Sequence, residues 1–178
     1  MTVYICLLRG INVGGKRMKM ADLRDMFKSI GYPDVQTLLA SGNVIFEADA
    51  TPDTLVPEIE AAIIEKFGFE SKIIMRTSDQ LEKIIADNPF SVDELEPKFL
   101  HVNFMCSAPS QETIDTFQQD HSTSEIVHVI GQEAYIYYTD GAGRSKFNLE
   151  KSLNVIGTAR NWNTVLKLKT LANELLNR

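Results

Sequence analysis

Val35-Gln-Thr-Leu-Leu39, then Ala40-Ser-Gly-Asn43, then Val44-Ile-Phe-Glu47, is the stretch on which the fold turns. Two short runs of strand-forming residues flank a four-residue segment in which Gly42 and Asn43 can take the positive φ of a hairpin turn. Strands joined this way lie antiparallel, unlike the parallel strands that flank a crossover helix. Working outward towards the N-terminus, Val3 to Leu8 is a continuous apolar run ending at Arg9-Gly10, the pattern of a central strand buried on both faces. Between that strand and the hairpin, Met20, Leu23, Phe27 and Ile30 recur at helical spacing, with Asp22 and Asp25 near the favourable end and Gly31 as the stop.

Beyond the hairpin, Thr51-Pro52-Asp53 predicts a helix start, with Thr51 capping the free amides and proline at the first helical position. Leu55, Ile59, Ile63 and Phe67 form its buried stripe, and Gly68 ends it. A strand follows over Ser71 to Met75. Thr77-x-x-Gln80 reads as a capping box opening a helix that carries Leu81, Ile84 and Ile85 and closes at Asn88-Pro89. The order strand, helix, strand, strand, helix, strand is the split βαβ arrangement of ferredoxin-like folds.

The second half repeats that order in outline. Phe99 to Cys106 reads as a strand, and Ser110 to Gln119 as a helix with Ile114 and Phe117 inward. A hairpin joins Glu125–Ile130 to Ala134–Thr139 through Gly131-Gln132, where glycine suits the first central position of a type II′ turn. The loop Asp140 to Lys146 leads to a short helical stretch, Leu149 to Leu153. A last helix from Trp162 to about Leu176 turns Trp162, Val165, Leu168, Ala172 and Leu175 to one face. The expected class is therefore α+β: two consecutive ferredoxin-like subdomains with antiparallel sheets, residues 1–88 and 89–178, the second extended by a C-terminal helix. The acidic, proline-bearing segment Asp87 to Lys98 is the join. The halves share element order rather than visible sequence identity.

Composition excludes several classes. The chain has 178 residues, 44% hydrophobic and 24% charged, the balance of a globular fold. Its apolar runs are too short to cross a bilayer, and no export signal follows Met1. Cys6 and Cys106 lie in apolar strand-like runs without paired spacing, so buried reduced thiols and a cytoplasmic location are expected. A net charge of −6 and a pI near 5.1 argue against coating nucleic acid or anionic lipid over the whole surface. The charge is uneven, however. From Glu47 to Glu96 there are thirteen acids against four bases, whereas Arg144, Lys146, Lys151, Arg160, Lys167 and Lys169 meet only Glu150 over their span. Arg9, Lys16, Arg17 and Lys19 form a second cluster with no acid inside it. An anionic partner is expected on these two segments.

Gly10-Ile-Asn-Val-Gly-Gly15-Lys16 matches the first seven positions of the P-loop, whose backbone amides cradle phosphate while lysine reaches it. Arg17 stands where Ser or Thr would hold Mg²⁺, and the hairpin-linked strands differ from the parallel sheet of nucleotide hydrolases. A milder reading has Arg9, Asn12, Lys16 and the amides near Gly14 and Gly15 binding a phosphate or other anion. A second reading, that the glycines only permit a sharp turn and the cations are solvated, stands beside it. Asp140-Gly-Ala-Gly-Arg-Ser-Lys146 is another glycine-and-cation loop, and for Asp140 to Gly143 ordinary loop chemistry is the preferred reading. Asn161 is placed to cap the last helix, where Arg160 and Asn163 would welcome an anion. Trp162 reads as core or docking surface before a base-stacking platform. His101, His121 and His128 have no nucleophile partner in sequence, and no His or Cys spacing suggests a metal.

Leu7-Leu-Arg-Gly-Ile-Asn-Val-Gly-Gly-Lys16, Leu39-Ala-Ser-Gly-Asn-Val44 and Ala159-Arg-Asn-Trp-Asn-Thr-Val-Leu-Lys-Leu168 together resemble the bacterial family called domain of unknown function 1697. The resemblance implies two ferredoxin-like halves, and it brings no established activity, cofactor or catalytic residue. Asn154 departs from the glycine usual in the family, and asparagine tolerates the left-handed conformation that such a turn uses. The leading expectation is a protein that binds a phosphorylated small molecule, nucleotide or short nucleic acid. The expected groups are Arg9, Asn12, Gly14, Gly15, Lys16, Ser41, Asn43, Arg144, Lys146, Arg160, Asn161 and Asn163, gathered from distant loops into one cleft. Two alternatives are an enzyme using the same cleft, a phosphate-directed transferase or hydrolase that lacks an obvious general base, and a protein-interaction module. Catalytic residues, cofactor and oligomeric state are not specified by the sequence.

Overall fold

In the computed structural model, which describes all 178 residues, the chain divides into two compact units: Met1–Lys83 with Lys167–Arg178, and Ile84–Leu166. It is a mixed α+β protein with two four-stranded antiparallel sheets and six α-helices. None of the helices is long and apolar enough to cross a membrane.

In the first unit, β1 (Thr2–Leu8) lies between β3 (Asn43–Ala48) and β4 (Ile73–Thr77), and β2 (Gln36–Leu38) pairs with β3, giving the order β2-β3-β1-β4. Every pairing is antiparallel. The helices α1 (Met20–Ser29) and α2 (Pro52–Phe67) contribute Leu23, Phe27, Leu55, Ile59 and Ile63 to a core completed by Cys6, Leu8, Val44 and Phe46 from the sheet. Each such side chain contributes about 1.5–3 kcal/mol on burial. Phe27, Tyr32 and Phe46 meet edge-on or tilted, with the Tyr32 and Phe46 ring centres 4.9 Å apart. Ile5 and Leu7, on the opposite face of β1, are fully buried as well, as its uninterrupted apolar run predicts.

Two local expectations are corrected. Thr51 precedes α2 with extended backbone but makes no side-chain capping bond, so the start of that helix rests on Pro52 and the Asp53 charge. Strand β4 begins at Ile73 rather than Ser71; ahead of it the Ser71 hydroxyl donates to the Arg9 carbonyl at 2.9 Å. The capping box opening α3 (Ser78–Ala86) forms in both directions: the Gln80 amide donates to Thr77 Oγ1, and the Thr77 amide to Gln80 Oε1.

The second unit contains β5 (Leu100–Met105), α4 (Gln111–Asp120), β6 (Ile126–Ile130), β7 (Glu133–Tyr137), α5 (Leu149–Leu153) and β8 (Gly157–Asn161), with strand order β6-β7-β5-β8. Met105, Phe117, Ala134, Ile136, Leu149 and Leu153 form the core on one face of this sheet. Gly131 alone in the β6–β7 turn has positive φ, as type II′ requires. Asn154 ends α5 at φ 51°, the left-handed conformation expected of it.

β8 is the element the sequence hid. Residues 157–161 read as the polar approach to the last helix, α6 (Trp162–Leu176), yet they pair with β5 throughout. From Thr158 on the strand alternates, with Thr158 and Arg160 buried and Ala159 exposed, so polar residues stand on its inner side; Gly157 at its start is buried as well. Asn161 is accordingly the last strand residue, although its Oδ1 still accepts the Asn163 amide at 3.0 Å. Cys6 is buried, whereas Cys106, one residue past the end of β5, is exposed; both are free thiols.

Candidate functional site

Seven of the twelve expected ligand-binding residues belong to the first unit, and most of their side chains are already occupied. Asn12, at φ 55°, staples its own loop: Nδ2 donates to the carbonyls of Met18 at 3.0 Å and Ala40 at 2.7 Å, and Oδ1 accepts the Met18 amide. The loop after β1 and the turn between β2 and β3 are thereby brought together. Asn43 is fully buried and donates to the Leu38 carbonyl and to Ser41 Oγ, which closes the turn from inside. Lys16 donates to the Glu70 carbonyl at 2.8 Å and lies 5.8 Å from the centre of the Phe69 ring. Arg9 is also engaged. What stays open is backbone: the amides of Val13, Gly14 and Gly15, in an exposed turn with φ of +56° and +87° at the two glycines, have no acceptor within the chain.

The other five lie in the second unit. Arg160 is 5% exposed, and its guanidinium donates to Thr158 Oγ1 at 2.7 Å and to the Ala159 carbonyl. Asn161 Nδ2 donates to the Lys98 carbonyl, and Asn163 is exposed at the first turn of α6. None of the three reaches the hollow that holds Arg144 and Lys146.

That hollow, of about 680 Å³, lies between the approach to β6 and the loop running from β7 through a 3-10 turn (Ala142–Arg144) into α5. Arg144, Lys146 and Lys151 line it, together with Ser124, Asn148 and Ser152. All three cations are exposed and form no ion pair or side-chain hydrogen bond within the chain, in contrast with Lys16 and Arg160. Asp140 and Glu125 also line the hollow, leaving it one positive charge in excess. In the sequence Lys151 is only one member of a basic segment; it joins the two loop cations because one turn of α5 separates it from Asn148, whose side chain caps that helix.

The back wall is a carboxylate network. The Ser145 hydroxyl donates to Glu125 Oε1 and accepts the Phe147 amide at 3.0 Å. Hydrogen bonds from Ser145 and then Thr123 hold the Glu125 carboxyl below its ordinary pKa against the opposing effect of burial. His121 Nε2 lies 2.7 Å from the Glu125 carbonyl, which can only accept, so neutral His121 carries its proton there. Tyr138 lines the same hollow, and burial, with the Glu125 charge, pushes its hydroxyl pKa up. Behind it, the His101 ring meets Tyr138 edge-on at 5.1 Å, and burial pushes His101 towards its neutral form. Three or more His, Cys, Asp or Glu side chains placed to hold a metal ion occur nowhere in the chain.

Comparison with known proteins fixes the lineage. Residues 1–135 match the family described as protein of unknown function DUF1697. The chain belongs to that family. The DUF1697 match ends inside β7, so the hollow's 140–152 wall, β8 and α6 lie beyond it. A comparison with curated proteins finds no match. Among solved structures, the fold is similar to that of the conserved bacterial protein SP0830 from Streptococcus pneumoniae, with 19% identity, a TM-score of 0.77, and coverage of 97% of this chain and 99% of that one. At that identity the likeness speaks for the fold.

Proposed function

We propose that this DUF1697 protein binds a phosphorylated small molecule in the hollow of the second unit, through Arg144, Lys146 and Lys151. One observation carries the reading: three exposed cations line a single concavity of an acidic protein, in excess over its two carboxylates, and none of them forms an ion pair within the chain. Free ammonium and guanidinium groups over a concave wall attract an anion more strongly than the same groups scattered on a convex surface. Ser124, Asn148 and Ser152 add hydroxyl and amide groups for the remaining oxygens of a phosphate. The expected cleft of twelve residues contracts, in this reading, to its 144–146 part plus Lys151. The turn at Gly14 and Gly15 keeps its open amides as a separate place for an anion.

Each sheet, in the same reading, is a ferredoxin-like split βαβ unit: the order β2-β3-β1-β4 sets the two hairpin strands on one side of the first strand and the last strand on the other, and β6-β7-β5-β8 repeats it. Two free thiols fit a reducing, cytoplasmic setting.

The test is a thermal-shift titration with ribose 5-phosphate on the whole chain, the Arg144→Ala/Lys146→Ala double variant and a Lys16→Ala control. The expected result is a rise in Tm with ligand that the control keeps and the double variant loses. No shift in the wild type, or one that survives in the double variant, overturns the proposal.

A further inference from the structure

Beside the cationic hollow lies a smaller one of about 260 Å³, and the two share Thr123, Phe147 and Ser152 as lining. The smaller hollow has a different chemistry. Phe117, His121 and Phe147 form a ring cluster along it, with His121 4.8 Å from Phe117 and 5.3 Å from Phe147, centre to centre. No cation lines it; Asp120 does, with Thr116 and Ser122. Because His121 Nε2 is committed to the Glu125 carbonyl, Nδ1 of the neutral ring is an acceptor, and it has no partner within the chain. The Asp120 carboxylate is a second acceptor in the same place.

Side by side, therefore, are a place for a doubly charged anion and a ring-lined place that accepts N–H groups. Both volumes together fall within the roughly 300–1,000 Å³ typical of small-molecule sites. A sugar phosphate fills only the first. A heterocycle with an N–H edge, carried one sugar away from a phosphate, fills both.

Resting on the anion-binding reading above, we propose that the ligand is a free mononucleotide, its phosphate among Arg144, Lys146 and Lys151 and its base against the His121–Phe117–Phe147 cluster with an N–H directed at His121 Nδ1. Every common base carries such an N–H donor, so this arrangement favours nucleotides over sugar phosphates without choosing among bases. Stacking and one hydrogen bond to a base account for a tenfold or greater gain over the sugar phosphate alone.

Calorimetric titrations of the full chain with adenosine monophosphate and ribose 5-phosphate, at one fixed ionic strength, decide it. Adenosine monophosphate is expected to bind at least tenfold more tightly. His121→Ala is expected to bring the two affinities to within about threefold by weakening only the nucleotide, and His121→Phe, which keeps a ring, to retain part of the gain. Equal affinities in the wild-type chain, or an advantage that His121→Ala leaves intact, overturn the nucleotide assignment while the anion-binding reading stands. Absence of binding by both ligands overturns the two together.

Discussion

The Ser145 hydroxyl and the Glu125 carboxylate are hydrogen-bonded across the back of the cationic hollow, tying the 140–147 loop to the approach of β6. A hydrogen bond to a charged acceptor contributes about 1.5–3 kcal/mol, less where water competes. It also holds the carboxyl pKa low, which makes its contribution depend on pH. A depressed folded-state value stabilises above the unfolded carboxyl pKa and is lost as pH falls through the folded one. Ser145→Ala is therefore expected to lower stability by about 1–2 kcal/mol at pH 7 in urea unfolding, with the difference from wild type shrinking by pH 3. An equal difference at both pH values would show that the hydroxyl acts by packing alone.

Gly157 is fixed by its neighbours rather than by its φ. A Cβ there would lie 2.1 Å from Asn103 Oδ1 and 3.0 Å from the Phe104 carbonyl, inside the sheet where β8 pairs with β5. Gly157→Ala should destabilise by about 2–3 kcal/mol in chemical denaturation. Asn103 Oδ1 is buried without a hydrogen-bond partner, so adding Asn103→Ala to that variant should recover a measurable part of the loss. A double variant no more stable than the single one would contradict this account.

Thr51 and Thr77 look alike in sequence, each a threonine ahead of a helix, and differ in the structure. Thr77 Oγ1 accepts the Gln80 amide, while Thr51 makes no side-chain bond to its helix. Thr77→Ala should cost about 1 kcal/mol and Thr51→Ala less than about 0.5 kcal/mol in parallel thermal melts. Equal costs would mean that the caps are not what distinguishes the two helix starts.

The same contrast measures what was legible in the sequence. Elements declared by apolar periodicity, such as β1 and α2, or by reciprocal side-chain chemistry, such as the Thr77–Gln80 box, form where they are read. β8 is hidden in the sequence because its buried side chains are those of Thr158 and Arg160, whose polarity resembles a helix approach until the pairing with β5 is seen. For the site, Arg144 and Lys146 could be read from a glycine-and-cation loop. Asn12, Asn43, Lys16 and Arg160 could not be distinguished from them, since a polar side chain that ties a loop and one left open to solvent are the same letter; only hydrogen-bond partners separate the two. His121 has no nucleophile near it in sequence, its contact with the Phe147 ring is tertiary, and its bond to the Glu125 carbonyl depends on the path of the intervening loop.

Backbone amide NMR of the whole chain, titrated with ribose 5-phosphate, tests the placement of the anion most directly. The account predicts ligand-dependent shifts concentrated in residues 123–125 and 140–152, around Arg144, Lys146 and Lys151. Shifts centred instead on residues 10–17, where the Gly14 and Gly15 amides are open, or no shifts at all, would contradict it.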